Sequence, residues 1–342
     1  MRSRTWVRST RTWSGAAARG RVRRRLWASL ALAALVLLHA APGRAVPSGY
    51  RLVVADEFDA PALDASLWEH RLPGPRRHAV NTPEAVRVDG AGHLVIDTWT
   101  EDGVHYTGMI GTQGRFEQRY GWFEARIDFD DAPGMWSAFW LQSPDMGLYL
   151  GDPGRAGVEM DIVEHDLFSS VASEPIWHGA LHWDGYGAEH KLANYLEPMP
   201  GIGDGFHVYA LEWTPTALRF YYDGALVWDA SAGPISHRAQ FLILSSEVED
   251  SIINRIPAGG YGGRSESAAR MVVDYVRVYA VPEPGRGSLA AALLLAAGAL
   301  GLGRQAHAGR SARAAARSAH TRRTTACSRA RAIVGESRKS SW

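Results

Sequence analysis

Between residues 50 and 280, apolar and polar side chains alternate in short runs separated by turn residues. Alternation at every second position marks a strand with one buried face. The pattern predicts strands at Tyr50 to Ala55, Ala85 to Val88, His93 to Trp99, Trp122 to Phe129 and Trp136 to Gln142. Others are predicted at Ala180 to Trp183, His207 to Trp213, Leu218 to Tyr222, Phe241 to Ser245 and Met271 to Tyr279. Asp89-Gly90, Asp102-Gly103, Pro133-Gly134, Asp184-Gly185 and Asp223-Gly224 read as turns between them. No helical period of useful length intervenes, and Gly259 to Gly263 reads as a surface loop. The expected fold is all-β, two packed antiparallel sheets in one domain over residues 46–280. In Trp122 to Asp128, the pattern sends Phe123, Ala125 and Ile127 inward. Trp122, Glu124, Arg126 and Asp128 should face solvent or substrate, with Glu124 and Arg126 as a same-face ion pair.

One run breaks the usual chemistry of a strand. Glu159-Met160-Asp161-Ile162-Val163-Glu164 puts three carboxylates into six residues. Like charges held together are costly unless they share protons or bind something positive. Plain alternation would turn Glu164 into the core, where an unpaired carboxylate is expensive. One extra residue near Ile162-Val163, a β-bulge, restores Glu159, Asp161 and Glu164 to one face. Two long Glu side chains leaning together from such a strand could bring their carboxyl groups to ~5–5.5 Å, the spacing of retaining glycoside cleavage. In that chemistry one carboxylate is the nucleophile and the other the acid and base, with Asp161 between them. A divalent-cation site drawing on His165 and Asp166 and a solvated acidic edge are the two competing readings.

Charge narrows the partners. The formal net charge of the 342 residues is +1, but residues 1–45 hold ten Arg and no acid. Residues 46–280 carry 16 basic and 34 acidic side chains, a net of −18. So acidic a domain repels nucleic acid and anionic membranes, and it disfavours heavily sulfated polymers. The single cysteine, Cys327, lies outside the domain, which therefore has no disulfide, zinc-thiolate site or cysteine nucleophile. Nine of the 13 Trp fall in 46–280, many of them expected in the core and some where sugar rings stack.

Both ends read as addresses. An Arg-rich stretch, the apolar run Leu26 to Leu38 and the small residues up to Ala45 make residues 1–45 a secretory signal region, with an uncleaved anchor as the alternative. At the other end, Val281-Pro282-Glu283-Pro284, the apolar Leu289 to Leu302 and Arg304 resemble the PEP-CTERM sorting signal of Gram-negative envelope proteins. That resemblance implies exosortase-type processing of residues 281–304, and a location outside the cell or anchored to its envelope. Such tails end soon after their basic residues, whereas this chain continues for 38 more. Residues 305–342 read as a basic disordered tail.

The acidic run also resembles the Glu-x-Asp-x-x-Glu signature of glycoside hydrolase family 16. The likeness extends to Asp56-Glu57-Phe58, to Tyr120 through Ile127, to Gly134 through Leu141, to Phe206 through Thr214, to Phe220 through Gly224 and to Val273 through Tyr279. It implies a concanavalin A-like jelly roll and a retaining endo-acting hydrolase of β-linked glucan or galactan. It makes Glu159 the nucleophile, Asp161 its assistant and Glu164 the acid/base, in the bulged branch of laminarinases, agarases and carrageenases. Trp136, Trp140, His182, Trp183 and Glu247 are the expected substrate contacts. No cofactor is expected for catalysis. A structural calcium, as in relatives, would fall to Glu57 and Asp274. The expected partner is a polysaccharide, and the expected state a monomer. Two departures stand out: Thr107-Gly108-Met109-Ile110 lacks the substrate-binding Arg of many laminarinases, and Leu244 to Glu249 replaces a common Asn-x-Ala-x-Gly-Gly stretch. A transglycosylase on the same acids and a non-catalytic lectin are the alternatives.

Overall fold

The computed structural model describes residues 46–130, 132–166, 176–250 and 255–281. The expected signal region, 1–45, and the expected sorting segment and tail beyond Val281 lie outside the described residues. Two large sheets face each other. The first runs, neighbour to neighbour, Lys191–Pro198, Ile176–Trp183, Glu159–His165, Met135–Gln142, Phe241–Val248, Met109–Gly111 and Glu69–His70. The second runs Ala225–Asp229, Leu218–Tyr222, His207–Trp213, Gly121–Phe129, Arg270–Ala280, Leu94–Asp97 and Val86–Val88, with Arg51–Asp56 also paired to Arg270–Ala280. All pairings in both are antiparallel. The expected all-β sandwich is therefore the observed one. A small third sheet holds Gly74–Arg76, Ala79–Asn81, Val104–Thr107 and Trp99–Glu101.

The core lies between the two large sheets, where their inward-facing side chains meet. Phe123, Ala125 and Ile127 enter it as alternation requires, opposite Phe139, Leu141, Met160, Ile162 and Val163. All eight are fully buried, and each large apolar side chain so buried stabilises the fold by about 1.5–3 kcal/mol. Asp102-Gly103, Asp184-Gly185 and Asp223-Gly224 have positive φ at both residues, the backbone that matches a hairpin turn to the strand twist.

The outward side of Gly121–Phe129 differs from expectation. Trp122 is buried with Ala210 and Tyr221 in a small second cluster, against which Val46, Tyr50 and Tyr279 pack. Glu124 accepts the Trp122 Nε1 hydrogen at 2.7 Å, and Arg126 pairs instead with Asp274 at 2.7 Å. The ion pair expected between Glu124 and Arg126 is replaced because each side chain has a nearer partner. Among the described residues, no helix is long and apolar enough to cross a membrane.

Candidate active site

The acidic strand sits near the centre of the seven-stranded sheet, and its register shifts on both sides at the same place. On one side Phe139 faces Val163 while the next residue, Trp140, faces Asp161. On the other, Asp161 faces Ala180 and Glu164 faces His178. The extra residue is Ile162. It and Val163 both point into the core, fully buried. The carboxylates of Glu159, Asp161 and Glu164 therefore share the outer, concave face, and all three line one cleft with Trp136, Ala138, Trp140, Ser245, Glu247, Arg76 and Arg77.

Each acid has its own partners. Glu159 accepts a hydrogen bond from Gln142 Nε2 at 2.9 Å and another from the Tyr186 hydroxyl. Asp161 Oδ2 lies 3.3 Å from His182 Nε2, which is 4.0 Å from Glu159 Oε1. His182 is held from behind by His190, stacked on it and 2.8 Å from its Nδ1. Glu164 accepts from Trp136 Nε1 at 2.7 Å, and its other oxygen lies 3.4 Å from His178 Nδ1. The same His178 nitrogen is 3.3 Å from Asp166 Oδ2.

These surroundings set the protonation. Burial, reinforced by the neighbouring Glu159 and Glu164, pushes the Asp161 carboxyl up to about 8. This favours its protonated form, against the opposing pull of His182. Burial also raises Glu164, opposed by the charges of His178 and His182 and by the Trp136 hydrogen bond. Burial alone would lower His182, but its contact with Asp161 and the Glu159 charge outweigh it and hold the imidazole at about 9. His178 is likewise held at about 9, because Glu164 and Asp166 outweigh its desolvation. The Tyr186 hydroxyl is pushed far up by burial and by Glu159, and it stays a donor.

Most of the expected substrate contacts come together. Trp136, Trp140 and Glu247 line the cleft, and His182 faces it from the next strand. Trp140 is fixed edge-on by Nε1 donating to Ser245 Oγ at 3.0 Å. The Arg77 guanidinium lies over the Trp136 ring at 4.0 Å, so a sugar reaches that face only after Arg77 moves. Glu247 accepts from Arg76 Nε at 2.6 Å and from Arg77 Nε, an anchor for two arginines rather than a bare acid. Trp183 is a correction. It follows His182 on the strand, so its side chain turns to the opposite face and packs on the core.

Metal chemistry fits poorly at the expected places. Glu57 is clamped by both guanidinium edges of Arg277, at 2.7 and 2.8 Å, and Asp274 is paired with Arg126. Carboxylates already neutralised by arginines are not a calcium donor set, and the residues do not fit the ion. His165 stacks on Phe129 with centroids 5.1 Å apart, a core histidine. Among the described residues, one group has ligand atoms within 4.8 Å of one another: Glu159, Asp161 and His182. Its members are engaged with one another and with Gln142 and Tyr186, and burial favours the protonated form of Asp161, whereas a metal ligand must be ionised.

Sequence reasoning missed Gln142, Tyr186 and His178, and it named Asp166 only as a cation ligand. Gln142 had a signal, since Trp136, Ala138, Trp140 and Gln142 share one face by simple alternation. His178 and His182 are four apart on one strand, which also aligns them. Tyr186 comes from a loop, where no period exists to reveal it.

Comparison with known proteins agrees with this picture. The model of the family described as Glycosyl hydrolases family 16 matches residues 77–276. A β-glucanase of Rhodothermus marinus is 30% identical over 253 residues, covering 67% of this chain and 85% of that protein. A keratan-sulfate endo-1,4-β-galactosidase of Sphingobacterium multivorum is 26% identical over 247 residues, covering 68% of this chain and 56% of that one. Among solved structures, the catalytic domain of an endo-1,3-β-glucanase (laminarinase) from Thermotoga petrophila RKU-1 superposes with a TM-score of 0.52. It is 26% identical, over 68% of this chain and 99% of that one. With a match across most of the sandwich and the three acids gathered in its cleft, the chain belongs to glycosyl hydrolases family 16.

Proposed function

We propose that this protein is a retaining, endo-acting hydrolase of a β-linked polysaccharide, and that it belongs to the bulged branch of its family. The observation that carries the reading is the bulge at Ile162, with Glu159, Asp161 and Glu164 buried together in one cleft beside Trp136 and Trp140. The relatives described as an endo-1,4-β-galactosidase and an endo-1,3-β-glucanase support endo cleavage.

In the first step Glu159 attacks the anomeric carbon while Glu164 gives its proton to the departing glycosidic oxygen. Burial favours the protonated form from which Glu164 donates. Protonated Asp161 stands beside Glu159 and limits the repulsion among three acids. Gln142 and Tyr186 fix the orientation of the attacking carboxylate. In the second step Glu164, now ionised, takes a proton from water, which attacks the same carbon and frees Glu159. His178, cationic and 3.4 Å away, stabilises Glu164 in its ionised interval.

We also propose that the enzyme works outside the cytoplasm, from the leader and the Pro-Glu-Pro segment of its sequence. The test of function is a reducing-end assay of the full chain on laminarin, lichenan, agarose, carrageenan and xyloglucan, beside Glu159→Gln. Reducing ends from one or more polymers with the wild type and none with the variant is the expected result. Equal rates for the two proteins overturn the assignment. Tight binding without cleavage by the wild type turns the reading toward a lectin.

A further inference from the structure

The seven-stranded sheet ends in an edge that lacks the usual protection. Lys191–Pro198 is its last strand on the side of the cleft histidines, and among the described residues no further strand pairs with it. An open edge offers a row of backbone donors and acceptors. Proteins usually blunt it with a short strand, a bulge, a proline or charges. This strand is eight residues long, and its register against Ile176–Trp183 runs from Lys191 opposite Trp183 to Pro198 opposite Ile176 without a shift. Its proline stands at the last position, and Leu192 to Leu196 carry no charge.

The two faces of the strand differ. Leu192 lies opposite His182 and Leu196 opposite His178, and these histidines lie opposite Glu159 and Glu164. Leu192, Asn194 and Leu196 therefore continue the concave face, where Leu192 is 50% and Leu196 42% exposed. Ala193 and Tyr195 turn the other way and pack on the core, with Tyr195 stacked on Trp228. Asp184 ties the Lys191 end to a neighbouring loop: it takes the Lys191 ammonium at 2.6 Å and the Gly151 N–H at 2.8 Å. That loop carries Leu148 and Leu150, both exposed. Four of the nine large apolar side chains exposed among the described residues thus belong to this strand or to the loop tied to its end, a concentration that marks an interaction surface.

What fits an open strand edge is another strand edge, and this one matches itself. A two-fold axis perpendicular to the sheet sets two copies of the strand antiparallel, with their concave faces on the same side. Centred on Asn194, that axis places Leu192 opposite Leu196, Ala193 opposite Tyr195 and Lys191 opposite Glu197, each twice, and Asn194 opposite itself. Centring on Ala193 would set Lys191 against Tyr195 and Leu192 against Asn194. Centring on Tyr195 would set Ala193 against Glu197 and Leu196 against Asn194. Both lose the Leu–Leu and Lys–Glu matches. We propose that the protein associates as a two-fold dimer through Lys191–Pro198, paired about Asn194, in place of the expected monomer. The Lys191 ammonium stays half exposed beside Asp184, and the Glu197 carboxylate, which takes the Tyr195 hydroxyl at 2.7 Å, has acceptor capacity for a cation across the axis. The domain's net charge of −18 opposes association only weakly, because charges beyond about 8 Å are largely screened at physiological salt. Pairing turns two seven-stranded sheets into one, with both clefts opening on the same side of it.

The test reads the register directly. Cys327 is the chain's single cysteine, so Cys327→Ser gives a full chain without thiols. Adding Asn194→Cys sets two thiols against each other at the axis. Residues opposed across an antiparallel pair have Cβ atoms about 4.5–5.5 Å apart, close to what a disulfide spans. Mild oxidation should convert most of this protein to a covalent dimer on non-reducing gels. Leu192→Cys in the same background is equally open to solvent but faces Leu196 of the other copy, so it should give at least tenfold less. Combining Leu192→Cys with Leu196→Cys should restore the covalent dimer. Glu197→Lys, which sets like charges opposite Lys191, should weaken the wild-type dimer at least tenfold in sedimentation equilibrium. Wild-type protein of monomer mass at every concentration overturns the proposal. So does crosslinking of Leu192→Cys equal to that of Asn194→Cys. A wild-type dimer whose Asn194→Cys form does not crosslink overturns it as well, because the contact then lies elsewhere in the chain.

Discussion

Replacing His178 with Gln should move the alkaline limb of the pH–activity profile upward. Glu164 must be protonated to act as the acid, so kcat/KM falls as pH rises through its pKa in the free enzyme. His178 is cationic at neutral pH and favours the ionised form of Glu164, which holds that pKa down. At 3.4 Å and an effective dielectric of about 20, a full unit-charge pair would be worth about 5 kcal/mol, or roughly 3–4 pKa units. Both side chains are close to nine-tenths buried, so solvent screens this little. The imidazole is shared with Asp166 at 3.3 Å, and water entering the variant would recover part of the loss. The expected net displacement is therefore about 1–2 units. The charge of Asp166 acts in the same direction, since a nearby anion also raises Glu164. The assay is initial rates on a cleaved polysaccharide from pH 4 to 10, with thermal melts to show that the His178→Gln protein is folded. An alkaline limb that stays in place or moves down refutes the reasoning, because it would mean that His178 does not act on the acid.

Three further outcomes are expected. Asp161→Asn should keep about tenfold more kcat than Asp161→Ala, because a protonated carboxyl and an amide both donate beside Glu159; equal losses would remove the proton from Asp161. Met160→Ala empties a fully buried place under the acidic strand and should cost about 2–5 kcal/mol in urea unfolding, with a lower Tm. A change below about 1 kcal/mol would mean that Met160 does not pack in the core as described. Trp140→Ala should raise KM on polymer substrates at least fivefold with a smaller change in kcat, and a pure kcat effect would count against its role as a sugar contact.

Much of the site was legible because the chemistry and the strand period point the same way. Glu159, Asp161 and Glu164 cannot share a face without an extra residue, and the bulge is found at Ile162. The same period placed Trp136 and Trp140 over the cleft, and followed through it would have sent Trp183 to the other side. The edge strand Lys191–Pro198 escaped notice because Leu192 and Leu196 stay exposed on its outer face, which blurs the contrast between sides. The cleft arginines, Arg76 and Arg77, were not legible at all. Pro73, Gly74 and Pro75 read as a loop. What brings Arg76 and Arg77 to the acids is a long-range tie, His78 N–H to the Val248 carbonyl at 3.1 Å, together with Glu247. Local pattern carries no record of such a contact.

The central claim is that Glu159 forms a covalent bond to the sugar. The anomer first released from a cleaved β-glycan, followed by proton NMR before mutarotation, tests it most directly. The account predicts the β anomer, as two successive inversions require. The α anomer as first product would contradict it, for then water rather than Glu159 makes the attack.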